Sequence, residues 1–264
     1  MQSIRQSIGG IGRFALITFA LFHIINIVTG YYTNTIVVIP TDNIGRIPQT
    51  VRVCPSNELY TDTKHAVEEW NRAIKYFSMR FLWFNLLGLK FEVAETNCDA
   101  KVVLGKTKEF VLGVTYAPIN DSKPWPVVIS IIMDGVKEPL SITHLLNNSN
   151  KVWFIVISDT LQPERRAAVI THELSHVLGL LDSYTTDKRY RPATDTSGPY
   201  KVTSYDIYAL YSKYNMGRDG EWVVVPPYIP YMTADMPLPD IASAAVSALT
   251  AFMVDRKLWR RVKA

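Results

Sequence analysis

The sequence feature that most constrains the fold is the run H-E-L-S-H-V-L-G-L-L-D, which extends from His172 to Asp182. His172 and His176 are four residues apart, and on a helix residues at this spacing project from the same face, so both imidazoles can bind one zinc ion. Glu173 would then point toward a metal-bound water. Gly179 can adopt a positive φ and end the helix, which lets Asp182 face the metal. The run therefore predicts a helix followed by a tight turn.

The predicted ligands are typical of a catalytic rather than a structural metal site. Two histidines and one carboxylate fill three positions of a tetrahedral zinc ion and leave the fourth to water. An alternative third ligand is Glu221, but residues 220–225 read as a strand or turn rather than as a helix. We therefore expect one Zn²⁺ ion, with Asp182 as the third ligand beside the two histidines.

The regions around the motif predict an α+β fold. An early amphipathic helix is expected from Thr61 or Thr63 to Phe77, the metal-binding helix begins with Pro163 in its first turn, and a third helix covers 204–214. Short apolar and β-branched runs bounded by Gly, Asn, Asp or Pro predict strands at 50–53, 89–94, 100–104, 110–116, 127–133 and 152–158.

The motif resembles that of the metzincin clan of zinc endopeptidases, H-E-x-x-H-x-x-G-x-x-H, and in particular the snapalysin-like variant whose last ligand is aspartate. The resemblance covers about residues 50–215. It implies a metzincin-like zincin domain with a mixed, twisted β-sheet, in which strand 127–133 is the antiparallel edge that pairs with an extended peptide or protein substrate. It also implies peptide-bond hydrolysis by zinc-activated water, with Glu173 as the general base.

The chain departs from the metzincin pattern at the Met-turn. Metzincins place a methionine beneath the zinc between the third ligand and the last helix, whereas residues 183–205 contain none. Pro199 with Tyr200, or Thr203 with Ser204, are candidates for a substitute floor. Candidate oxyanion stabilisers in this loop are Tyr184, Tyr190 and Tyr200. The missing methionine also motivates an alternative function, a catalytically silent module of this fold that binds a partner protein.

The N-terminal end of the chain predicts a membrane anchor. Residues 14–32 are mostly apolar, carry no charged side chain and are long enough to cross the roughly 30 Å hydrocarbon layer as a helix. Arg5 and Arg13 lie on its N-terminal side only, which predicts a cytoplasmic N-terminus and an extracytoplasmic domain. A cleaved signal peptide, giving a secreted protein, is the competing interpretation, although the segment lacks a small-x-small cleavage site at its exit.

A second apolar stretch, residues 241–254, precedes a basic tail. At 1.5 Å per residue it would extend only about 21 Å, so packing on the domain, lying at the membrane interface and spanning as a second helix all stay open.

We expect the chain to have three parts. These are a cytoplasmic end with its anchor in 1–35, the metallopeptidase domain in 36–220 and a C-terminal extension in 221–264.

Charge and cysteine content limit the remaining possibilities. The net charge of +4 comes from the two ends, because residues 14–254 contain two more acidic than basic residues. This balance does not support the basic surface that nucleic-acid binding requires. Cys54 and Cys98 are the only cysteines, and in an exported domain we expect them to form a disulfide, with two buried free thiols as the alternative.

Overall fold

The computed structural model of the protein describes residues 33–42, 49–80, 88–107, 111–118, 128–133, 152–198 and 200–235. Tyr32–Ala234 form one compact unit. The predicted anchor at 14–32 and the apolar stretch at 241–254 lie outside the described residues. Within the described parts of the chain, each helix is too short or too polar to cross a membrane.

A mixed sheet of six strands forms the centre of this unit. In spatial order the strands are β3 (Lys90–Val93), β2 (Thr50–Pro55), β4 (Ala100–Gly105), β7 (Trp153–Ser158), β5 (Val111–Tyr116) and β6 (Val128–Met133). The first four run parallel, whereas β5 pairs antiparallel with both β7 and β6. The mixed α/β character predicted from the sequence is confirmed, and β6 ends the described sheet next to the reversed strand β5.

Among the described residues, three α-helices accompany the sheet: α1 (Tyr60–Arg80), α2 (Pro163–Val177) and α3 (Ser204–Met216). Helix α1 buries the apolar face expected from its periodicity, including Trp70 and Phe77. The Trp70 indole also donates a hydrogen bond of 2.8 Å to the carbonyl of Thr171, which ties α1 to α2. Helix α2 contacts β5, β6 and β7 and is fully buried along its second half, so its position relative to the sheet is fixed by packing.

A second, smaller sheet was not predicted. Strand β1 (Val37–Pro40) lies between β8 (Tyr184–Thr185) and β9 (Trp222–Val224), antiparallel to both. Val37, Ile39 and Val223 are buried on its inner face. This sheet joins the N-terminal part of the unit to the chain that follows the metal motif.

The predicted disulfide between Cys54 and Cys98 is present. Cys54 lies in β2 and Cys98 lies in the connection that leads from β3 to β4. The bridge therefore links neighbouring strands at one end of the parallel part of the sheet.

Candidate metal centre

Helix α2 brings the two histidines together as their spacing predicts. His172 and His176 are fully buried, and their Nε2 atoms are 3.0 Å apart. The helix ends at Val177, and two residues later Gly179 has a φ of +83°. A side chain there would be both strained and obstructed, because a Cβ would lie 2.4 Å from Cε of Lys213. Glycine is therefore required for the turn that reverses the chain after the second histidine.

The turn places Asp182 beside both imidazoles. Its Oδ1 lies 3.3 Å from Nε2 of His172 and 3.5 Å from Nε2 of His176. Ligand atoms about 2.0–2.1 Å from a tetrahedral zinc ion are roughly 3.3–3.4 Å from one another. The three atoms therefore match one face of such a coordination sphere. Asp182 is 36% exposed, whereas both histidines are fully buried.

Backbone carbonyls fix the orientation of both imidazoles. Nδ1 of His172 donates to the carbonyl of Ala193, and Nδ1 of His176 donates to that of Leu180, each at 2.7 Å. Because a carbonyl only accepts, each ring carries its proton on Nδ1 and presents the lone pair of Nε2. Two imidazole lone pairs and one carboxylate oxygen thus converge on a point that suits a cation.

The electrostatics of the cluster also favour a cation. Burial, together with the neighbouring imidazole, lowers the pKa of His176 to about 4, so this ring is neutral at pH 7. Burial alone would lower the pKa of His172 too, but the neighbouring carboxylates of Asp182 and Glu173 favour the protonated ring and raise its pKa above the ordinary value. The carboxylates of Asp182 and Glu173 therefore stabilise positive charge beside the His172 ring.

Glu173 lies in a closely packed niche between α2 and β5. Its Oε2 accepts a 2.5 Å hydrogen bond from Oγ1 of Thr115, while its buried Oε1 has no hydrogen-bond partner among the described residues. Gly113 makes the niche possible, since a Cβ there would lie 2.6 Å from Oε1. Burial raises the pKa of Glu173 to about 7. A carboxylate with this pKa can accept and return a proton near neutral pH.

Tyr200 packs directly against a predicted metal ligand. Its ring meets that of His172 edge to face, with centroids 5.3 Å apart. Tyr200 has a φ of +58°, and its hydroxyl donates to the carbonyl of Thr196. Its ring therefore packs against His172, and its hydroxyl is engaged with the backbone.

The other described residues that were candidates for the site lie outside the His–His–Asp cluster. Tyr190 stacks edge to face on Tyr231, and Tyr184 projects from β8 with 63% of its surface exposed. Thr203 caps α3, and Ser204 donates to the carbonyl of Pro230. The structure brings neither of these two tyrosines into the His–His–Asp cluster. Glu221, the alternative third ligand, pairs with Arg218 at the surface and is not part of the cluster.

Sequence reasoning missed Asp206, a buried acid in the first turn of α3. Its carboxylate accepts hydrogen bonds from the backbone N–H groups of Ala193, Thr194 and Thr203. Because the carbonyl of Ala193 holds the His172 ring, Asp206 fixes the loop that orients this ligand. The T-x-x-D spacing from Thr203 resembles a capping box and was the only available signal.

Sequence reasoning also missed the segment that supports the Asp182 turn. The N–H of Asp42 donates to the carbonyl of Gly179, and the N–H of Leu181 donates to the carbonyl of Pro40. The fully buried ammonium of Lys213 binds the Asp42 carboxylate at 2.9 Å from beneath the turn. Contacts with residues outside the motif therefore stabilise the turn, in addition to the backbone conformation that Gly179 allows.

The chain matches no protein-family model, and no curated protein is significantly similar to it. The fold and the site define a mixed α/β domain that carries a His–His–Asp cluster, with both histidines buried, on a helix and the turn after it.

Proposed function

We propose that the protein is a zinc-dependent endopeptidase of the metzincin type. The observation that carries this proposal is the convergence of three ligand atoms, Nε2 of His172, Nε2 of His176 and Oδ1 of Asp182, at separations of 3.0–3.5 Å. Two imidazoles and one carboxylate are the donor set of a catalytic zinc ion with an open position. The sequence of elements, with a strand, a helix, further strands, the motif helix and a last helix, supports the same class.

Zinc bound at this cluster would lower the pKa of a coordinated water to about 7 and polarise the scissile carbonyl. Glu173 takes a proton from the attacking water at Oε1 and passes it to the leaving amine. Thr115 binds the other carboxylate oxygen, Oε2, which fixes the orientation of the carboxylate and therefore of Oε1. A peptide substrate would pair in an extended conformation with β6, the strand at the end of the described sheet beside α2.

We place this domain outside the cell, anchored through residues 14–32. The disulfide between Cys54 and Cys98 supports an oxidising compartment, and the charge-free apolar segment supports the anchor. A secreted form released by signal cleavage, and a two-pass form that also uses residues 241–254, are the alternatives. Protease protection of the intact cell or vesicle, followed by sizing of the mature chain, distinguishes the three.

The substitution Glu173→Gln tests the enzymatic function. It keeps the size of the side chain but removes the base, so we expect cleavage of casein to fall about 10²- to 10⁴-fold. The matched control is Glu164→Gln, at an acid in the first turn of the same helix, which should leave cleavage unchanged. Zinc content, measured by mass spectrometry, should be the same in all three proteins. Equal casein cleavage by the Glu173→Gln variant would overturn the proposed mechanism.

The alternative class is a catalytically silent module that binds a partner protein. It is motivated by the absence of methionine from residues 183–205. Glu173 counts against it, because burying a carboxylate beside two imidazoles is costly and a binding surface gains nothing from it. A folded wild-type protein that retains zinc but does not cleave casein would favour the module.

A further inference from the structure

The smaller sheet has one apolar face that points away from the domain. Val38 lies opposite both Tyr184 and Val224, and Pro40 lies opposite Trp222, so these side chains share a face. The outer face, as we call it, consists of Ile36, Val38, Pro40, Tyr184, Trp222 and Val224. Exposure reaches 71% for Trp222, 63% for Tyr184 and 55% for both Ile36 and Val224.

An outward face of this composition is unusual for a sheet that is exposed to water. Antiparallel sheets that cover a core normally alternate apolar residues inside with polar residues outside. Here both faces are apolar, since Val37, Ile39 and Val223 fill the inner one. A contiguous apolar patch of this kind marks an interaction site. Tryptophan and tyrosine are also the residues enriched at the boundary between lipid and water.

The position of the outer face in the chain points to its partner. Ile36 follows the charge-free segment 14–32 by only four residues. A fully extended chain spans at most about 3.6 Å per residue, so Ile36 lies within roughly 14 Å of the end of that segment. When this segment is inserted in a bilayer, strand β1 therefore begins close to the lipid headgroups.

We propose that the outer face docks on the surface of the bilayer that anchors the chain, with Trp222 and Tyr184 at the level of the headgroups. This inference rests on the proposed membrane anchoring but not on the proposed zinc chemistry. The face itself carries no charged side chain, and the adjacent Arg218 and Glu221 lie 3.8 Å apart as an ion pair. Apolar contacts therefore drive the docking, which takes place on zwitterionic as well as anionic lipid.

Docking also defines a class of substrate for the proposed peptidase. Tyr184 is only two residues from Asp182, so a bilayer in contact with the outer face lies close to the chain that carries the third predicted ligand. Peptide segments that emerge from the same bilayer reach this site without leaving the membrane surface. Membrane-proximal segments are therefore the favoured substrates.

Spin labels on the full-length protein in phosphatidylcholine nanodiscs test the docking. Labels are placed at Trp222→Cys and Val224→Cys, and the control label is at Lys64→Cys, an exposed position on α1. Because Cys54 and Cys98 are bonded to each other, each variant has one free thiol. We expect the two outer-face labels to collide more with oxygen than with a water-soluble nickel complex, and the control label to show the reverse, at low and high salt alike.

Three results would overturn the proposal. Labels at positions 222 and 224 that respond like the control place the outer face in water. Labels shielded from both reagents show that protein covers the face, and a chain that does not enter the nanodiscs has no contact with lipid. The measurement is repeated in a Glu173→Gln background, where the same depth is expected, so that failure of the peptidase proposal is distinguished from failure of docking.

Discussion

Thr115 shows how much the proposed chemistry depends on a single hydroxyl. It lies on β5, and it is the residue whose side chain binds the carboxylate of Glu173. Gly113, two residues earlier on the same strand, leaves the space that this carboxylate occupies. The proposed general base is thus positioned by a strand that contributes none of the three predicted ligands.

The substitution Thr115→Val removes this hydrogen bond while keeping the shape of the side chain. Hydrogen bonds to charged groups contribute about 1.5–3 kcal/mol, so kcat should fall roughly 10- to 100-fold with KM and zinc content unchanged. Thr115→Ser restores the hydroxyl and should recover most of kcat. Steady-state kinetics on a fluorogenic peptide measure both. If the valine and serine variants are equally impaired, packing rather than the hydrogen bond explains the loss.

At the scale of elements, strand β1 and the residue that follows it support the turn that carries Asp182. The ammonium of Lys213 on α3 binds Asp42, immediately after β1, and also Asp219 at 2.8 Å. Gly179 lies directly above this ion pair, which explains why the turn tolerates no side chain. The third ligand is therefore positioned by contacts between segments that are far apart in the sequence.

Lys213→Met should destabilise the domain strongly, because it removes the buried ammonium that binds the buried carboxylate of Asp42. The expected loss in the free energy of unfolding is about 3–5 kcal/mol. The matched control is Lys64→Met, which breaks an exposed pair with Glu68 and should cost less than about 1 kcal/mol. Urea unfolding measures both. Adding Asp42→Asn to Lys213→Met should recover part of the loss, and no recovery would argue against the ion pair as its cause.

Elements and ligands differ in how far the sequence can predict them. The strands of the main sheet follow from local alternation and β-branched residues, and the ligands follow from the helical period and one glycine. Strand β1 could not be found in this way. Its apolar run at 37–40 is short and follows soon after the apolar segment 14–32, and its two partner strands lie far away in the sequence. Thr115 and Lys213 act through tertiary contacts that leave no pattern in nearby sequence, and the only local signal for Asp206 is its capping-box spacing from Thr203.

At the scale of the whole molecule, a bound metal would join parts that the backbone leaves separate. Helix α2 would supply two ligands and the following turn the third, while the loop at Ala193 and helix α3 orient the His172 ring. A metal that binds only the folded arrangement adds its binding free energy to the stability of the domain.

Removing zinc with a chelator should lower the melting temperature. Zinc at about 1,000 times its dissociation constant stabilises a protein by about 4 kcal/mol, which corresponds to roughly 10 °C for a domain of this size. Calorimetry before and after chelation measures the shift, and added zinc should reverse it. Asp182→Asn should show a much smaller response, whereas Asp187→Asn, at a surface acid of the same loop, should respond like the wild type. Equal melting curves with and without zinc would exclude a stabilising metal at the cluster.

The pairing of β1 has a consequence for biosynthesis. The chain leaves the ribosome from its N-terminus, so β1 and Asp42 are made well before Lys213 and β9, which hold them in place. Until these late residues have emerged, the turn that carries Asp182 lacks the ion pair beneath it and one of the two strands that flank β1. The proposed metal site is therefore completed only after Lys213 and β9 have been made, and a shorter nascent chain carries the predicted ligands without the support that positions them.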